Sequence, residues 1–132
     1  MFDPKIIAQI AKQSKAEKWP YPKKFEALKK ASVESYQVTL ENFQIQYKSD
    51  SQDWLEPTPE DTPILIIAEA FDKEAVREAI THHVRQQTPY SEFLKDIAAA
   101  GVISYVVDME SRSVTYQGKN EKDFHVENVP SL

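Results

Sequence analysis

Between Asp72 and Gln87, the residues Val76, Ala79, Ile80, His83, Val84 and Gln87 fall at the spacing that lines one face of a helix. A matching helix is expected after Asp3. Asp3 and Asp72 can each accept backbone N–H bonds at a helix start, and Pro4 suits a first helical position. Each half then predicts a second helix. One starts at Pro20–Pro22 and carries Phe25, Leu28 and Ala31; the other starts at Thr88-Pro89 and carries Tyr90, Phe93, Leu94 and Ile97. Gly101 reads as the left-handed residue that ends the latter, and Ser32 stands at that place in the former. Beyond the helices the period changes to two. Tyr36, Val38 and Leu40 alternate with polar residues, as do Phe43, Ile45 and Tyr47 after Glu41-Asn42, which predicts a hairpin. Val102 to Asp108 and Ser113 to Gln117 predict another. Third strands are expected at Ile64 to Ala68, a continuous apolar run, and at Phe124 to Glu127.

This succession repeats. Displacing the chain by 69 residues lays 2–51 on 71–120 without a gap and brings 11 of 50 positions into identity. Tyr21/Tyr90, Tyr36/Tyr105, Val38/Val107 and Tyr47/Tyr116 are among them. Self-similarity at a fixed offset, with helix and strand signals in phase, predicts an internal duplication. Between the copies, residues 49–63 hold three prolines and five acids and read as a loop or inter-repeat linker. Trp54-Leu55 within it must fold back on the core or stay exposed for a partner, and exposed paired apolar residues favour folding back.

At 132 residues, 41% of them hydrophobic, the chain fits one domain over 1–132. The absence of cysteine excludes disulfides, thiolate nucleophiles and Cys-based metal sites. No apolar run approaches the roughly 18 residues of a membrane helix, and the N-terminus lacks a signal-peptide core, so a cytoplasmic protein is expected. A net charge of −5 argues against nucleic acid as the main partner. Eight lysines against three acids in residues 1–30 leave that segment at +5. A solvated lysine-rich helix face accounts for this, and a basic flank docking on an acidic surface is the sharper reading.

The chemistry on offer is sparse. Adjacent His82 and His83 point about 100° apart on a helix, so they cannot chelate one metal as histidines four apart do. His125 is distant in sequence, and no metal or cofactor is expected. His83 lies mid-stripe, as a hydrogen-bonded core histidine would; facing a cleft instead, it could serve a site. With two glycines and no nucleophile elbow, phosphate-cradling loops are absent. A Ser104/His83/Asp108 set can be assembled only on paper. The paired tyrosines suit core packing, or a ligand pocket where the copies meet.

The second half resembles a bacterial family of about this length and unknown function, commonly described as phage envelope proteins. The resemblance rests on His83, Thr88, Tyr90 and Phe93, then Ala99-Ala100-Gly101-Val102, Val106-Val107-Asp108, Tyr116 and Glu127-Asn128-Val129-Pro130. Gln86 stands where that family usually has glycine, and Lys122 displaces a glycine near Asn120. The resemblance implies a fold and no reaction.

The sequence therefore predicts an α+β domain of two pseudo-symmetric α-α-β-β(-β) repeats, about four helices on a mostly antiparallel sheet of about six strands. It suggests a non-enzymatic binding or regulatory accessory protein, taking a small molecule or a protein at the inter-repeat seam or a dimer surface. His83, Tyr90, Tyr36, Tyr105 and Asp108 are the candidate ligand residues, and the duplication suggests a homodimer. One alternative is an enzyme using His83 as general acid or base with Tyr90 and Asp108. Another is an interaction module presenting the Trp54-Leu55 loop.

Overall fold

In the computed structural model, residues 3–49, 52–56, 65–86, 88 and 90–129 are described, Tyr90 by its backbone alone. Among them are four helices and six strands, in the order α1 (Pro4–Ala16), α2 (Tyr21–Lys30), β1 (Ser35–Thr39), β2 (Gln44–Ser49), β3 (Gln52–Glu56), α3 (Lys73–Gln86), α4 (Tyr90–Ala99), β4 (Ser104–Asp108), β5 (Ser113–Gln117) and β6 (Phe124–Asn128). The fold is α+β. None of these helices is long and apolar enough to cross a membrane.

The expected start signals operate. Asp3 Oδ1 accepts from Lys5 N–H at 3.0 Å, and Asp72 Oδ1 accepts from Ala75 N–H at 3.1 Å. Each meets one of the four N–H groups that a helix start leaves without an internal partner. The ends also match. Ser32 and Gly101 both have positive φ, 75° and 93°. Val33 N–H reaches back to Leu28 C=O at 3.2 Å, and Val102 N–H to Ile97 C=O at 3.0 Å. These are the six-to-one bonds of a left-handed helix stop, a place suited to glycine. Ser32→Gly is accordingly expected to raise stability by about 0.5–1 kcal/mol, read as a higher urea midpoint at unchanged slope.

The sheet runs β3-β2-β1-β4-β5-β6, every neighbouring pair antiparallel. β1 pairs with β4 and joins the two halves, with Gln37 opposite Val106, the position 69 residues further along. Tyr36, Val38, Ile45, Tyr47, Tyr105, Val107, Val114 and Tyr116 alternate onto one face. There they share a single core with Ile7, Phe25 and Leu28 from α1 and α2, and with Val76, Phe93, Leu94 and Ile97 from α3 and α4. Arg112 fastens the halves at one end. Its guanidinium bonds Glu26 of α2 and lies 4.6 Å over the Phe25 ring.

Two expectations need correction. The third strand of the first half is Gln52–Glu56, inside the segment read as a loop, whereas 65–68 is not a strand. Leu65 is buried there but Ile66 is 87% exposed, so the apolar run crosses the surface instead of entering the sheet; Ile64 lies outside the described residues. Val84, expected on the inner face of α3, is 67% exposed because the buried stripe is narrow and centred on Val76 and Ala79.

Candidate functional site

The candidate ligand residues do not converge. Tyr36 and Tyr105 are buried on the helix-covered face, at 4% and 6% exposure. The Tyr36 hydroxyl is hydrogen-bonded to that of Tyr21, and the Tyr36 and Tyr105 rings pack 5.5 Å from those of Tyr47 and Tyr116 respectively. Asp108 ends β4 on the opposite face of the sheet. Its Oδ1 accepts from Glu110 N–H at 3.0 Å, bracing the β4–β5 turn. Strand alternation therefore separates Asp108 from the tyrosines and from His83. Tyr90 opens α4, and its side chain lies outside the described residues.

His83 belongs to a different grouping. Its ring stacks on Phe93 at 4.5 Å, and its Nδ1 lies 2.8 Å from Thr88 Oγ1. Phe93 meets Tyr116 edge-on at 6.3 Å, and Tyr116 lies 6.5 Å from the nearly parallel His125 ring. His125 Nε2 is 2.6 Å from Glu127 Oε1. Two histidines more than forty positions apart in sequence thus bracket one run of rings, His83 against Thr88 and His125 against Glu127. Residues 125 and 127 face the same side because they are two apart on a strand. That alternation was readable in the sequence; the pairing of β5 with β6 that sets His125 beside Tyr116 was not.

Burial pushes the His83 imidazole below its usual range, with the neighbouring charge of His82 adding to it, against weaker raising effects from Thr88, Asp96 and Glu92. The folded chain therefore binds this proton less readily than the unfolded chain. The stability His83 contributes is complete above its unfolded pKa, about 6.5, and is lost as pH falls below that toward the folded value. Between pH 7 and 5.5, the melting temperature of the wild type should fall more steeply than that of His83→Asn. Equal slopes would contradict the assignment.

The first half has a related but chemically different stack. Trp54 lies 5.7 Å from Tyr47, whose hydroxyl donates to Glu56 Oε1 at 3.3 Å. Burial raises the Glu56 carboxyl, against Lys24 and the Tyr47 hydroxyl. Burial lowers the half-buried Lys24 amine, against Glu56. No group of three His, Cys, Asp or Glu side chains that could hold a metal occurs among the described residues. Two shallow open depressions, of about 360 and 410 Å³, are lined by residues of α3 and by residues of α1 together with Glu17 just beyond it. Neither includes Tyr36, Tyr105, His83 or His125.

The reverse face of the sheet is a broader feature. The strand registers arrange its side chains in rows across the sheet. Leu55, Gln46, Gln37, Val106, Thr115 and Val126 make the central row, and Gln44, Thr39, Ser104, Gln117 and Phe124 the one beside it. Those 11 positions carry no charge in a chain whose residues are 28% charged. Lys48, Asp53 and Asp108 all fall in the remaining row, with Ser35, Ser113 and Asn128. Within the uncharged field Leu55 is 51% exposed, Phe124 and Val126 47%, and Val106 37%. Trp54 and Leu55 are thus divided by strand alternation. The indole folds back on Tyr47 as expected, while Leu55 faces outward.

Residues 8–128 match a family described as "Protein of unknown function (DUF1398)". The chain is also 32% identical over 107 residues to uncharacterized protein Rv2012 of Mycobacterium tuberculosis H37Rv and to uncharacterized protein Mb2035 of Mycobacterium bovis. Each alignment covers 79% of this chain and 63% of the relative, so the chain spans less than two thirds of the length of these curated relatives.

Proposed function

Because the chain belongs to the DUF1398 family of proteins of unknown function, which supplies kinship and no reaction, we propose its role from the surface it presents. It is a non-enzymatic binding or regulatory accessory protein, and its working surface is the reverse face of the sheet, centred on the β1–β4 seam. The observation that carries this reading is the uncharged field around Leu55, Val106, Phe124 and Val126. The centres of protein interfaces are depleted of charge, and a field of neutral amides and hydroxyls with half-exposed apolar side chains has that character. A single lysine among the described strand positions of this face, with a net charge of −5, disfavours a nucleic-acid backbone. The enzyme built on His83, Tyr90 and Asp108 loses support because Asp108 lies across the sheet from His83.

The chain works as one domain of two duplicated units in the cytoplasm. The element order and the placement of Gln37 opposite Val106 support the duplication, which puts equivalent strands at the centre of the binding face.

The absence of native cysteine allows a direct test. Val126→Cys, on the proposed surface, and Arg77→Cys, on the outer side of α3, are exposed to a maleimide in dilute buffer and in extract of the source organism. Slower labelling in extract at Val126→Cys alone is the expected result. Equal rates at both positions in both media would overturn the proposal.

A further inference from the structure

Resting on that reading, we infer that the partner on the reverse face is a second copy of this chain, docked sheet against sheet about a two-fold axis parallel to the strands along the β1–β4 seam. Such an axis sets β3 over β6, β2 over β5 and β1 over β4 of the other copy, and turns each row of side chains to face itself in reverse. In the central row Leu55 meets Val126 of the other copy, Gln46 meets Thr115, and Gln37 meets Val106. The two half-exposed apolar side chains at opposite ends of the sheet thereby cover each other, twice over. In the charged row Asp53 meets Asn128, Lys48 meets Ser113, and Asp108 meets Ser35, so no like charges are opposed. A surface that complements itself under rotation is what an isologous interface requires.

Size and charge set the strength of this contact. Six strands of about five residues span roughly 29 by 17 Å. Two facing sheets of that size cover about 1,000 Å² in total, near the lower limit for a specific interface. The dimer is therefore weak, with a dissociation constant on the order of micromolar. Each copy carries −5, but the described strand positions of the facing surfaces hold only Lys48, Asp53 and Asp108 as charges. Repulsion acts mainly between the remaining surfaces of the two copies, and added salt should screen it and tighten the dimer. Sheets packed face to face keep their strand directions within about 30° of each other, and an axis parallel to the seam strands holds those strands aligned.

Sedimentation equilibrium over a range of concentrations tests the inference with Leu55→Lys, Val126→Glu, their equimolar mixture, and Arg77→Glu as a control. Circular dichroism establishes that each variant is folded; both interface positions are exposed, and charges on edge strands are well tolerated. Each interface substitution alone is expected to weaken the dimer at least about tenfold, by desolvating a charge or opposing it to an apolar side chain. Mixing the two should restore association, because Lys at position 55 of one copy then faces Glu at position 126 of the other. A wild type that stays monomeric, or a dimer indifferent to either substitution, overturns the inference. Loss in both single variants without recovery on mixing overturns the axis. A monomeric wild type whose Val126→Cys variant is nevertheless protected in extract would sink the second copy as partner and leave the binding role standing.

Discussion

Gly101→Ala is expected to destabilise the fold by about 3 kcal/mol and lower its melting temperature by roughly 10 °C. Two effects combine. The residue sits at φ +93°, a conformation that side-chain-bearing residues rarely adopt. A Cβ there would lie 2.4 Å from Ala70 O, 2.7 Å from Phe71 Cα and 2.9 Å from Ala70 C, all backbone atoms. No rotamer change relieves such contacts, so the chain entering α3 must move off the end of α4. That chain is pinned there by Ala68 N–H to Ala98 C=O and Asp72 N–H to Ala100 C=O, at 3.0 and 2.8 Å. Ser32 occupies the corresponding stop in the first half, which makes Ser32→Gly and Gly101→Ala a pair of opposite sign. A loss under 1 kcal/mol for Gly101→Ala, from urea unfolding, would mean that the segment yields and the close approach is unimportant.

Phe93→Ala is expected to cost about 3–5 kcal/mol, as truncating a buried aromatic does. Phe93 is 6% exposed and stands between the His83 and Tyr116 rings, so the void opens where helix and sheet meet. The substitution also carries a spectroscopic signature. Desolvation is the first cause of the low His83 pKa, and water admitted beside the ring should move it up toward its ordinary value. Proton NMR of the imidazole would follow this, with Phe93→Leu recovering most of the stability and most of the depression. An unmoved His83 titration beside a large stability loss would show that Phe93 packs the core without shielding the imidazole.

What was legible in the sequence was local. The Asp3 and Asp72 caps, the left-handed stop at Gly101 and the tyrosine alternation each need a few neighbouring residues, and each stands in the structure where those neighbours place it. Strand β3 escaped because Gln52–Glu56 lies among prolines and acids and offers only Trp54 to the core. The Ile64 to Ala68 run misled because a short apolar run does not reveal whether a sheet edge is available to receive it. Pairing of β1 with β4 joins residues about seventy positions apart, and no local pattern encodes it. The reverse face depends on all five strand registers at once, so its uncharged rows emerge only when Leu55, Gln37, Val106 and Val126 are brought into line. His125 lies far from the other two histidines in sequence, the one property that sheet pairing makes irrelevant.

Occupation of the reverse face while the protein works is the proposal on which the rest depends. A photo-crosslinking amino acid placed at Val106, at the middle of that face, and separately at Arg77, on the outer side of α3, tests it in living cells of the source organism. A discrete adduct from Val106, at twice the mass of the chain, and none from Arg77 is the expected result. No adduct from Val106 at native expression level, or the same adducts from both positions, would contradict it.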